Sequence, residues 1–87
     1  MKAFRLVISS PDGDIYSGEC VKLDVRGVEG ELSVMAGHTP FVTAVVKCAC
    51  AVWPDEDTRK EATTEGGLLT VGKDQVTFIS GTFKFIE

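Results

Sequence analysis

The 87-residue chain is short of positive charge: nine Lys/Arg stand against thirteen Asp/Glu, for a formal net charge of −4. Nucleic-acid phosphates need a Lys/Arg surplus, and no basic patch interleaved with aromatics is present, so nucleic acid is not an expected partner. No apolar run approaches the roughly 20 residues of a membrane-spanning helix, so direct membrane insertion is not expected. The apolar N-terminal run ends at Ser9-Ser10-Pro11-Asp12, too early for a secretory signal. Cys20, Cys48 and Cys50 are odd in number and poorly suited to a closed disulfide framework, which points to a reducing compartment. The glycines form neither a dinucleotide fingerprint nor a phosphate loop. The single histidine, His38, has no serine and acid placed by sequence to complete a triad. Helical periodicity, repeats and low-complexity tracts are missing too.

What remains is a β-rich globular sequence, 44% hydrophobic and 25% charged, which is too apolar for disorder and long enough for one domain over 1–87. Phe4, Leu6 and Ile8 alternate with Arg5 and Val7 as a first strand, and Ser10-Pro11-Asp12-Gly13 turns it into Ile15-Tyr16-Ser17, with a bulge or bend expected at Gly18. In residues 20–26, Val21, Leu23 and Val25 face a core while Lys22, Asp24 and Arg26 face water. The β-branched run 41–53 has no polar face and is read as two strands broken near Lys47 and Cys48. Pro54-Asp55-Glu56-Asp57 is an acidic turn. Residues 58–64 read as a charged edge strand, and Gly66-Gly67 introduces a hairpin of Leu68-Leu69-Thr70-Val71 with residues 75–80 across Gly72-Lys73-Asp74. Phe83-Lys84-Phe85-Ile86 makes a last short strand. Turn signals every 8 to 12 residues or so predict an all-β fold, a flattened sandwich or barrel of about ten short strands.

Residues 27–43 carry the densest punctuation. Gly27, Gly30, Gly37 and Pro40 set turns around a short strand in which Leu32 and Val34 alternate with Glu31, Ser33 and Met35, presenting Glu29, Glu31 and His38 on a rigid edge. Each has a plain reading as well: Glu29 and Glu31 as solvated acids beside a turn, His38 as a loop anchor, Thr43 as a strand threonine. Cys48 and Cys50 project from one face of a strand at i and i+2. With Cys20 or His38 they imitate a metal or redox site, although zinc sites usually show two separated pairs; otherwise they are small buried hydrophobes. Trp53 reads as a core residue at a strand end.

Glu29-Gly30-Glu31-Leu32, Gly37-His38, Pro40 and Thr43 resemble the signature loop and strand of the epsilon subunit of F-type ATP synthases. Ser9-Ser10-Pro11-Asp12-Gly13 and Tyr16-Ser17-Gly18-Glu19 are similar to that family's first hairpin, and residues 66–71 with Val76-Thr77-Phe78-Ile79 to its late one. The resemblance implies a β-sandwich that acts as a non-catalytic central-stalk rotor subunit, peripheral at the cytoplasmic face of the bacterial inner membrane. It would bind the gamma subunit and the c-ring and couple proton or sodium flow to ATP synthesis or hydrolysis, without a cofactor or metal of its own. It assigns Glu29, Gly30 and Glu31 to the c-ring interface and His38 and Thr43 to the gamma-subunit interface. Ser33 and Ala36 depart from the glycine and proline usual at those positions. Family members commonly continue into a C-terminal pair of helices that inhibit hydrolysis and, in some, bind ATP; neither property is expected of these residues. Two other readings are a stand-alone β-sandwich adaptor and a Cys/His metal-binding protein built on Cys20, His38, Cys48 and Cys50.

Overall fold

The computed structural model describes residues 2–86. Among them there are eight strands and no helix: β1 Phe4–Ser10, β2 Gly13–Cys20, β3 Lys22–Gly27, β4 Gly30–Val34, β5 Phe41–Asp55, β6 Thr58–Val71, β7 Gln75–Ile79 and β8 Lys84–Phe85. They form one sheet in the order β2-β1-β7-β6-β5-β3-β4, with β8 on β6. All pairs are antiparallel except β1 with β7, whose parallel pairing brings the N-terminal hairpin against the late one.

The sheet folds over because β5 and β6 are longer than the molecule is wide. Fifteen residues of straight strand would extend about 50 Å, whereas the longest dimension is 28 Å. Both strands therefore bend and run through two layers, which is why eight strands stand where about ten were expected. The predicted break near Lys47 is not there: the β5–β6 register continues from Val46↔Gly66 to Cys48↔Thr64, since β6 keeps its alignment with β5 through this stretch. The bend shows instead on the other side, where Asp24↔Ala51 and Gly27↔Val45 pair out of register. Five residues of β5 there face two of β3, and β5 arches away. Gly66-Gly67 likewise lies inside β6 and does not start a new strand. Residues 58–64 are no simple edge either, because Ala62 and Thr63 pair with β8.

Alternation decides which side chains meet between the layers. Leu6, Ile8, Val45, Leu69, Val71, Val76 and Phe78 come from one layer, and Leu23, Val25, Val34, Cys50, Val52 and Ala62 from the other. Full burial of each large aliphatic side chain contributes about 1.5–3 kcal/mol. The expected irregularity at Gly18 falls elsewhere: Gly18 pairs regularly with Leu6, and the register slips between Ile8↔Tyr16 and Ser9↔Asp14, leaving Ile15 as the extra residue. Trp53 and Pro54 occupy a second slip, between Val52↔Lys60 and Asp55↔Thr58, a place where proline's missing N–H removes no ladder bond. The acidic turn that follows is hydrogen-bonded. Asp55 accepts from the Asp57 N–H (2.9 Å) and the Thr58 hydroxyl (3.2 Å), which hold its carboxyl below the usual carboxylate range.

The β6 bend is held by buried hydroxyls. Gly66 has φ +133° and its N–H donates to Thr64 Oγ1 at 3.1 Å, while Ser80 Oγ donates to the Gly66 carbonyl at 2.8 Å. Thr64 and Ser80 also bond each other at 2.9 Å, and the Glu65 N–H donates to Thr82 Oγ1 at 2.9 Å. Side chains thus take over the backbone bonds that the ladder gives up at the bend, as buried polar groups require.

Candidate docking surface

The hairpin of β3 and β4 turns through Val28 and Glu29, with Gly30 at φ +127°, a conformation L side chains rarely adopt. Glu29, Gly30 and Glu31 are all exposed at this tip. Glu31 is not a free acid: it sits opposite Arg26 in register and pairs with its guanidinium at 3.4 Å. Such an exposed pair is worth little to stability, so the carboxylate can exchange Arg26 for another donor at small cost. Thr43 lies under the tip, with its Oγ1 3.4 Å from where a Gly27 Cβ would sit. It shares the inward parity of Val45 on β5 and is half-buried.

His38 is set apart from the tip by β4, whose two ends are about 13 Å from each other. Its N–H donates to the Met35 carbonyl (3.3 Å), Nδ1 lies 3.0 Å from the Thr39 carbonyl, and its ring packs on Phe41 at 5.0 Å. The structure therefore groups Glu29, Gly30, Glu31 and Thr43 and leaves His38 in the crossover to β5. Nor are the four Cys/His residues united. Cys48 and Cys50 adjoin, Cys20 is buried in the core, and no group of three or more His, Cys, Asp and Glu among the described residues is placed to hold a metal ion. Trp53 is half-buried, its Nε1 donating to Asp24 Oδ2 at 3.1 Å and the Lys22 ammonium 5.5 Å from its ring.

Sequence reasoning missed the residues around the tip. Val28 is 63% exposed, Val42 62%, Ile79 52% and Leu68 44%. Register puts them side by side: the Val28 N–H bonds the Ala44 carbonyl, Ala44 pairs with Leu68, and Leu68 pairs with Ile79. Val42, two residues from Ala44, extends the row. The result is an apolar stripe across the outer face of four consecutive chain segments, about 14 Å wide and continuous with the Glu29-Gly30-Glu31 tip. The signal was present in the sequence as apolar residues on the wrong parity of each strand, but only strand order joins them. A contiguous apolar patch beside a polar rim marks an interaction surface.

Two thiols are held neutral. Burial pushes Cys20 up to about 11, opposed only by the Lys22 backbone N–H; burial, then the charge and hydrogen bond of Cys48, pushes Cys50 up to about 12. Above the ordinary thiol value of 9.0 the unfolded chain binds fewer protons than the folded one, so stability falls as pH rises. Urea midpoints are expected to lose nothing to these thiols below pH 9.0 and to decline between there and about 12. A Cys20→Ala, Cys50→Ala double variant should show a shallower alkaline decline; an identical one would contradict the assignment.

A folded-over sheet with an apolar outer stripe beside an acidic glycine tip has the form of an all-β domain with a candidate docking face. The chain belongs to the family described as ATP synthase, Delta/Epsilon chain, beta-sandwich domain, whose pattern matches residues 3–85. ATP synthase epsilon chains of three Clostridium perfringens strains are each 31% identical over 87 residues, covering 100% of this chain and 65% of theirs. The chain thus spans just under two thirds of the length of these relatives. A chain of the Euglena gracilis mitochondrial ATP synthase, solved as OSCP/F1/c-ring in rotational state 1, superposes with a TM-score of 0.87 at 20% identity, covering 94% of this chain and 52% of that one. A chain from the Tetrahymena thermophila mitochondrial ATP synthase central stalk/c-ring structure superposes with a TM-score of 0.78 at 8% identity, covering 93% and 65%. At those identities the likeness is one of fold.

Proposed function

We propose that this chain is a non-catalytic rotor subunit in the central stalk of an F-type ATP synthase, with its 87 residues forming a single domain. In this reading it ties the gamma subunit to the c-ring so that ion flow and ATP synthesis or hydrolysis stay coupled. It sits peripherally at the cytoplasmic face of a bacterial inner membrane, as the bacterial source of its epsilon-chain relatives supports. The observation that carries the reading is the apolar stripe of Val28, Val42, Leu68 and Ile79 running into the Glu29-Gly30-Glu31 tip. The stripe, with His38 beside Phe41, serves gamma, while the inward parity of Thr43 removes it from that outer face; the tip, whose Glu31 can leave Arg26 for a donor on a c-ring loop, serves the ring. A stalk that transmits torque must not slip, and an interface of about 1,200–2,000 Å² in total is the size that holds.

Co-purification with a matched gamma subunit tests this. Leu68→Asp, on the exposed face, should leave the fold intact and weaken gamma binding at least about tenfold. Glu31→Gln should leave gamma binding unchanged. A correctly folded chain that never binds its matched gamma subunit would sink the proposal.

A further inference from the structure

The arch in β5 opens a groove between β3, β4 and β5, of about 640 Å³, whose lining includes Cys48 and the buried Cys50. We propose that these two thiols are a modification site for a small-molecule disulfide of the glutathione class, closing through a mixed disulfide on Cys48 to an intramolecular Cys48–Cys50 bond.

Four features carry this. The two sulfurs are 3.7 Å apart, on one face of the strand by their i, i+2 spacing. Cys48 is half-buried and Cys50 buried, so a reagent in the groove meets Cys48 first. The groove is lined by Arg26, Lys47 and Arg59, whose cations now pair with exposed carboxylates and are able to take the carboxylates of a peptide disulfide instead. Residues 46–50 are unpaired on the β3 side, so only the ladder to β6 has to yield as the sulfurs approach to about 2.05 Å. Two Cα atoms at i and i+2 of a strand lie near the upper limit for a disulfide, so the bond is of the readily reduced kind.

The steps balance. Cys48, as thiolate, attacks one sulfur of the reagent; a new S–S bond forms, the reagent's S–S bond breaks, and the second glutathione leaves as its thiolate and takes up a proton. Cys50 then gives its proton to water and attacks Cys48 Sγ, expelling the first glutathione. Two protein thiols are oxidised and one reagent disulfide is reduced to two thiols. Order follows from burial: Cys48 is the more accessible of the two thiols, and once it is in a mixed disulfide its charge no longer opposes ionisation of Cys50, leaving burial as the main cause that raises it.

The folded chain, incubated with glutathione disulfide and followed by intact mass and peptide mapping, should end with the mass of two hydrogen atoms lost and Cys48 joined to Cys50. Cys50→Ala should stop with one glutathione on Cys48, and Cys48→Ala should react at least about tenfold more slowly. Dithiothreitol should reverse both products. Cys20, fully buried, should stay unmodified throughout, which shows that the native state reacted. Wild type that keeps glutathione on Cys48 without closing, Cys48→Ala reacting at the wild-type rate, or modification only together with Cys20 would each overturn the assignment.

Discussion

Replacing Gly67 with alanine is expected to destabilise the fold by about 3 kcal/mol or more, lowering Tm by about 12 °C or more. An added Cβ would lie 2.2 Å from the Ile79 carbonyl oxygen and 2.8 Å from the Phe78 ring. The carbonyl is backbone inside the β6–β7 ladder, where Leu68 pairs with Ile79, so it cannot move without breaking that register. The bend beside it is already fixed by Gly66 at φ +133° and by the Thr64 and Ser80 hydroxyls. Gly81 is the control: its nearest neighbour is Pro11 Cδ at 3.8 Å, an ordinary contact, and Gly81→Ala should stay within about 0.5 kcal/mol of wild type. Urea unfolding followed by Trp53 fluorescence reads both. Equal midpoints for the two variants would refute the close-approach account.

Phe78→Ala should cost about 3–5 kcal/mol, a large share of the 5–15 kcal/mol that such domains possess. Phe78 is fully buried in β7 and meets Phe83 edge-on at 5.9 Å, and Phe83 meets Phe85 edge-on at 5.1 Å. Those rings tie β8 to the core, and the Ile86 N–H to Glu61 carbonyl bond (2.9 Å) completes the attachment. The variant should therefore show a specific local effect besides lower global stability: the Ile86 amide exchanges faster relative to core amides such as Leu69. Phe78→Leu, which keeps most of the volume, should lose roughly half as much. Exchange at Ile86 that tracks global stability alone would mean that the rings do not anchor β8.

Much of the architecture was legible in the chain. Val21, Leu23 and Val25 turned inward as their alternation required, because period-2 patterning is a local property of the pleat. The late hairpin formed about Gly72, whose N–H bonds the Gln75 carbonyl at 2.9 Å, because turn chemistry is local as well. Strand ends were less legible. Residues 41–53 looked like two strands because their hydrophobic pattern shows no bend geometry, and 58–71 looked divided because glycine pairs commonly end strands; here a positive φ and a hydroxyl cluster let β6 turn a corner without ending.

The site divides the same way. Gly30 at positive φ and the exposed acids at the tip follow from residues 27–31 alone, and the family to which residues 3–85 belong follows from several short motifs along the sequence. The pairing of Glu31 with Arg26, the inward parity of Thr43 and the separation of His38 from the tip required the register of β3, β4 and β5. The sequence by itself determined an all-β chain, its turns and which face of each strand is apolar. The tertiary structure alone decided that Val28, Val42, Leu68 and Ile79 adjoin and that Cys48 and Cys50 open onto a groove. The reason is physical: alternation and turns are set by neighbours in the chain, whereas the adjacency of β3, β5, β6 and β7 is set by which folding-over buries the most apolar surface, and no single segment records it.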